Sequence, residues 1–134
     1  MQPLLLLTDP DPILTVVLQR CLLRRGFDVQ TASAGVDCLQ KLRYFEPQVL
    51  VLSDELLWGG SAGVLAFLRE EADLPPLPVV LISADDRSPE CLALMGPPVV
   101  QCLLKPFSLP MLLCSIRWAI DGGAALVSAG GAGL

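Results

Sequence analysis

Histidine is absent from all 134 residues, and no other absence removes as much chemistry. Ser-His-Asp and Cys-His nucleophile activation, H-E-x-x-H zinc chemistry and a phosphohistidine carrier role all require an imidazole. No Gly-rich nucleotide-binding motif is present either, so an enzyme is not expected. Cations are few: nine Lys and Arg against fourteen Asp and Glu leave a net charge of −5. Nucleic-acid or anionic-membrane binding needs clustered cations on one face, and neither is expected. Arg20, Arg24 and Arg25 do cluster, but at a helix end that favours cations anyway. Every apolar run is interrupted by Pro, Gly or charge well before the length of a membrane span. The start, Met1-Gln2-Pro3 and four leucines before Thr8-Asp9, lacks the basic region and apolar length of a signal peptide, so a cytoplasmic setting is expected. The five cysteines are odd in number and never spaced as C-x-x-C, which argues against a disulfide framework or zinc site and for small buried hydrophobes.

What is present is an apolar fraction of 53%, enough for one hydrophobic core in a chain of this length. Short continuous apolar runs at Leu4 to Leu7, Val49 to Leu52, Val79 to Ile82 and Val99 to Leu104 read as strands buried on both faces, with a further strand at Phe27 to Thr31. Helices fall between them. Asp11-Pro12 reads as N-cap and N1, opening a helix with Val16, Val17, Cys21 and Leu22 on one face and a stop at Gly26. A second helix carries Val36, Leu39, Leu42 and Phe45 and ends at Pro47. A third follows Gly59-Gly60-Ser61 with Val64, Leu65 and Leu68 inward, and ends before Leu74-Pro75-Pro76. Ser88-Pro89-Glu90 opens a short fourth helix ending near Gly96, and Ser108 caps a fifth with Leu112, Leu113, Ile116 and Ile120 as its apolar face.

Five βα units imply an α/β fold: a doubly wound five-stranded parallel sheet of the flavodoxin-like kind, with helices on both faces and its ligand site beyond the carboxyl ends of the strands. The domain spans 1–120, and 121–134 form a Gly/Ala-rich flexible tail. At the expected site stand Thr8-Asp9-Pro10-Asp11, Ser53-Asp54-Glu55, Ser83-Ala84-Asp85-Asp86 and Lys105-Pro106. The acids could hold a divalent cation, and the lysine with a serine hydroxyl could hold a phosphoryl group.

In order and spacing these segments resemble the receiver domains of two-component response regulators over residues 4 to about 120. The resemblance rests on Leu-Leu-Leu-Thr-Asp-Pro-Asp-Pro in the first unit, Gly26-Phe27, Glu46-Pro47, Pro78 to Ala84 and Lys105-Pro106-Phe107. It implies two adjacent acids after the first strand and an Asp closing the third, all binding Mg²⁺, with that Asp accepting phosphate. It also implies a hydroxyl after the fourth strand and a lysine after the fifth, both contacting the phosphoryl group. By position the first acid is Asp9, the hydroxyl Ser83 and the lysine Lys105. The second acid falls on Pro10, which has no carboxylate and no N–H. Asp11 could replace it but is expected to cap the first helix.

The acceptor position has two readings. An ungapped count from Pro47 lands on Ser53, favoured because an indel in a buried strand is hard to absorb. A one-residue slip lands instead on Asp54, with Glu55 beside it, and the two readings exclude each other because neighbouring strand residues point to opposite faces. Trp58 stands where the family has Pro or a small residue, and Cys102 where it has Tyr or Phe. The resemblance with these departures implies a phosphorylation-independent pseudo-receiver. Such a module would bind a protein partner, or homodimerise, through the face of the fourth helix, fifth strand and fifth helix, with no cofactor. The alternative is an atypical phospho-accepting regulator in which Asp54, Asp9, Asp11 and Glu55 serve with Mg²⁺. A flavodoxin-like cofactor binder is a minor alternative, since the acids after the first strand would repel a phosphate.

Overall fold

Four short apolar runs and one mixed segment that begins at Asp28 each become a short parallel strand. In the computed structural model, which describes residues 2–56, 60–71 and 77–122, the strands are β1 (Leu4–Thr8), β2 (Asp28–Ala32), β3 (Val49–Ser53), β4 (Val79–Ser83) and β5 (Val99–Leu104). They alternate with α1 (Pro12–Arg24), α2 (Gly35–Phe45), α3 (Gly60–Glu70), α4 (Pro89–Leu94) and α5 (Leu109–Ile120). The sheet is wholly parallel in the order β2-β1-β3-β4-β5, the expected flavodoxin-like arrangement. Order reverses beside β1, so the carboxyl ends of β1 and β3 flank the crevice where such folds place their sites. Trp58, the Leu74-Pro75-Pro76 stop and most of the tail, 123–134, lie outside the described residues.

Alternation along the strands divides the interior into two cores. Leu5, Leu7, Val49, Val51, Val80, Ile82 and Leu103 face Leu18 and Leu22 of α1 and Leu112 and Ile116 of α5. Leu6, Leu50, Leu52, Val79 and Leu81 face Cys38 and Leu42 of α2, Val64 and Leu65 of α3, and Cys91 and Leu94 of α4. Three helix starts follow the capping chemistry of the sequence: the Asp11 carboxylate accepts from Ile13 and Leu14, the Ser88 hydroxyl from Cys91 and the Ser108 hydroxyl from Met111. α1 is followed by Gly26, whose φ of +92° suits a residue without Cβ.

Two helices are rotated from the sequence expectation. α1 turns Thr15, Leu18 and Leu22 inward and leaves Val16 and Val17 half exposed. α2 buries Gly35, Cys38 and Leu42 and leaves Val36 outside. Apolar residues occur nearly all round α1, so periodicity alone did not select a face. The cysteines also divide: Cys38 and Cys91 are buried, Cys21 and Cys102 partly so, and Cys114 is exposed, all as free thiols.

α4 has six residues, too few to hold together by helix propagation alone. Arg69, at the end of α3, grips the turn that follows it. Its Nε donates to the Pro97 carbonyl at 2.9 Å, and its terminal nitrogen reaches the carbonyls of Leu94 at 3.0 Å, Gly96 at 3.3 Å and Met95 at 3.4 Å.

Candidate functional site

The carboxyl ends of β1, β3, β4 and β5 bring their polar residues to one end of the sheet. There the residues sort into two pairs. Asp9 continues the β1 ladder, with its N–H donating to the Ala32 carbonyl, and its side chain is fully buried. Lys105 Nζ donates to Asp9 Oδ2 at 2.6 Å, and its own side chain keeps 23% exposure. The other oxygen, Oδ1, accepts from the Asp11 backbone N–H at 2.8 Å. Both oxygens of Asp9 are therefore engaged within the chain, as burial of a carboxylate demands.

The second pair lies between β3 and β4. Asp54 N–H donates to the Ile82 carbonyl, which places the residue level with Ser83. Ser83 Oγ donates to Asp54 Oδ2 at 2.5 Å and accepts from Asp85 N–H at 3.0 Å. Asp54 Oδ1 is buried with no hydrogen-bond partner among the described residues. Cys102 borders this half. Burial first, then the Cys91 thiol alongside, then the charges of Asp86 and Asp54 push its thiol up to about 12.

Ser53 takes a different role from either pair. It is fully buried, and its Oγ accepts from Glu55 N–H at 3.1 Å, tightening the turn out of β3. Its carbonyl accepts from Ser61 Oγ at 2.5 Å, a bond from α3 that the sequence reading missed. A serine just after a Gly-Gly pair at a helix start was the available signal. By strand alternation Ser53 follows Val49 and Val51, while Asp54 follows Leu50 and Leu52, so the two belong to opposite faces. Neither forms a hydrogen bond with Lys105, whose side chain is held by Asp9.

Asp11 spends its carboxylate on the first turn of α1, where Oδ1 accepts from Ile13 at 2.9 Å and Leu14 at 3.3 Å. Glu55 is exposed. Among the described residues no group of three acids or thiols converges as a metal centre. The Mg²⁺ of receiver domains fits this residue set poorly: Asp9 is saturated, Pro10 offers no ligand and Asp11 is a cap, leaving Asp54 as the acid with a free buried oxygen. Beside Lys105 an open cleft of about 410 Å³ is lined by Asp11, Leu14, Leu18, Lys105, Pro106 and Phe107.

Comparisons with known proteins bear on this arrangement. No protein-family model matches the chain. It is 30% identical over 130 residues to the probable transcriptional regulatory protein TcrX of Mycobacterium tuberculosis, covering 91% of this chain and 55% of that protein. It is 33% identical over 113 residues to the CpxR homolog of Haemophilus influenzae, a transcriptional regulatory protein, covering 84% of this chain and 48% of that one. The chain thus spans about half the length of these relatives. In fold it matches the signal receiver domain of an HD domain-containing protein from Pseudomonas fluorescens with a TM-score of 0.80, at 20% identity, over 93% of this chain and 99% of that one. No helix of the described residues is long and apolar enough to cross a membrane. With its strand order, its polar crevice and these relatives taken together, the chain belongs to the response-regulator receiver domain family.

Proposed function

We propose that this receiver domain is a protein-interaction module that works without phosphorylation, meeting a protein partner or a second copy of itself through the face of α4, β5 and α5. The observation that carries this reading is the closure of Asp9. Its two oxygens are taken by Lys105 and by the Asp11 N–H, and Pro10 stands where a second acid would complete a cation site. Lys105 is thereby committed as the counter-charge of a buried carboxylate rather than left free for an incoming anion. Exposed Leu92 and Met95 at α4, Leu104 on β5 and Met111 on α5 supply the apolar side chains for a protein contact. The net charge of −5 favours a protein partner over nucleic acid or an anionic membrane, and five free thiols suit the reducing cytoplasm. No catalytic role is proposed, and no cofactor.

The test is incubation of the full chain with acetyl phosphate and Mg²⁺, followed by intact mass. The expected result is no stable phosphoryl adduct. A stable adduct abolished by Asp54→Ala would overturn the reading.

A second reading, favoured by one observation, makes Asp54 a phosphoryl acceptor. Its carboxylate meets the Ser83 hydroxyl at 2.5 Å and leaves Oδ1 buried without a partner among the described residues. Such an oxygen is under-satisfied until something binds it. Beryllofluoride with Mg²⁺, followed by amide shifts at Asp54 and Ser83, tests this directly, and unchanged spectra would remove it.

A further inference from the structure

Two of the five cysteines meet. Cys102 lies on β5 opposite Leu81 of β4, and both side chains turn to the face of the sheet covered by α2, α3 and α4. Cys91 stands in the first turn of α4, fully buried in that same core, and Cys102 packs against the core partly buried, with the two thiols alongside each other. The other three stand apart. Cys21 on α1 and Cys114 on α5 belong to helices of the opposite face, and Cys38 on α2 accepts from Thr8 Oγ1.

Neither sulfur takes part in the two carboxylate pairs of the crevice, and Cys102 occupies the position where the family has Tyr or Phe. Two thiols in contact have one reaction closed to a lone thiol, which is two-electron oxidation to a disulfide within the chain. Disulfides in the cytoplasm, when they form, are usually transient and redox-sensing. Five free thiols give a reduced resting state from which such a bond can form.

We propose that Cys91 and Cys102 are a redox switch, in which an oxidant of the hypochlorous acid class joins them in a disulfide that fastens α4 to β5. Cys102 is the sulfur open to solvent. Its thiol takes chlorine from hypochlorous acid, forming a sulfenyl chloride and water. Cys91 Sγ then attacks the Cys102 sulfur, chloride leaves with the electron pair of the S–Cl bond, and the Cys91 proton passes to solvent. Each sulfur loses one electron and chlorine gains both, and a thiol reductant reverses the bond by exchange. Burial first, then the Cys91 thiol, then Asp86 and Asp54 keep Cys102 protonated by pushing it up to about 12. Thiolate is therefore scarce at neutral pH, and peroxides, which depend on it, leave the pair reduced. α4 is the element that yields as the sulfurs close, because a helix of six residues has little cooperativity of its own. The proposal rests on the interaction reading above only for what the bond would govern, the helix presenting Leu92 and Met95.

The experiment treats the full chain at neutral pH with equimolar hypochlorous acid, then alkylates it in denaturant without reduction and sequences the peptides by mass. The expected result is a loss of two hydrogens, with Cys91 and Cys102 the positions left unalkylated, and slower amide exchange across α4 in the oxidised folded chain. Dithiothreitol restores both, and Cys91→Ala abolishes both. The double variant Cys21→Ser, Cys114→Ser is expected to close the same bond, which separates it from scrambling among the more open thiols. A first disulfide between other cysteines, or Cys102 oxidised to sulfinic acid with Cys91 left free, overturns the pair. A Cys91–Cys102 bond with unchanged exchange in α4 overturns the switch, and equal closure by hydrogen peroxide overturns the oxidant class. None of these arms contains a partner, so each can fail while the interaction reading stands.

Discussion

Asp9 and Asp54 are carboxylates at the carboxyl ends of neighbouring strands, and their surroundings differ in one decisive respect. Asp9 is buried with both oxygens engaged, one by a cation and one by a backbone N–H. Asp54 has one oxygen on a serine hydroxyl and the other buried without a partner among the described residues. The first is a finished structural pair, and the second is an incomplete site. Residue type at a family position therefore does not state its role: the position that most resembles a metal ligand by sequence, Asp9, is the one already satisfied by its own chain.

That contrast is broken most directly by Lys105→Met. It strands the Asp9 charge in the interior, and breaking a buried pair in this way costs roughly 3 kcal/mol or more. Urea unfolding measures the loss, and Asp9→Asn combined with Lys105→Met is expected to recover most of it. If the single variant costs no more than Asp54→Ala, the two halves are not different in kind.

Alkaline pH probes the scaffold behind Asp9, because Thr8 Oγ1 donates to Cys38 Sγ at 3.5 Å. Burial, opposed in part by that hydrogen bond, pushes the Cys38 thiol from 9.0 up to about 11. A raised folded-state value means its stabilising contribution is complete below pH 9 and is lost as pH climbs toward 11, to about 2 kcal/mol. Unfolding measured at pH 8 and pH 11 shows the loss, and Cys38→Ala is expected to reduce that slope.

Asp11→Ala separates the two duties of that residue. It removes the helix cap and is expected to cost about 1 kcal/mol, while the backbone N–H that serves Asp9 survives. Asp54→Asn is expected to change stability by less than about 1 kcal/mol in either direction, since Asn keeps an oxygen for Ser83 and relieves the unpartnered charge. A large loss there would show Asp54 to be as integral as Asp9.

Most of the fold was legible in the sequence because each unit is punctuated. Asp11-Pro12, Ser88-Pro89 and Ser108 mark helix starts, and the four buried apolar runs mark β1, β3, β4 and β5 to within a residue. What failed was rotation. The sequence of α1 is apolar on several sides, and its buried face includes Thr15, a residue no hydrophobic pattern selects. The site was legible as a set of residues but not as partners. Asp9, Ser83 and Lys105 do reach the crevice, yet their pairing depends on how the chain turns after each strand. Ser53 and Asp54 differ by one step at a strand end, and a count along the sequence does not carry the partners each side chain finds there: Ser53 Oγ takes the Glu55 N–H and Asp54 Oδ2 the Ser83 hydroxyl.

The grip of Arg69 on the last carbonyl of α4 and the three that follow it makes that short helix a dependent of its neighbour. A six-residue helix has little cooperativity of its own, so its order is lent to it from the end of α3. Whatever frays the last turn of α3 therefore also releases the segment bearing Leu92 and Met95. Arg69→Ala is expected to raise amide exchange across α4 before any global loss of structure, so that one side chain far from the crevice governs whether part of the interaction face is presented at all.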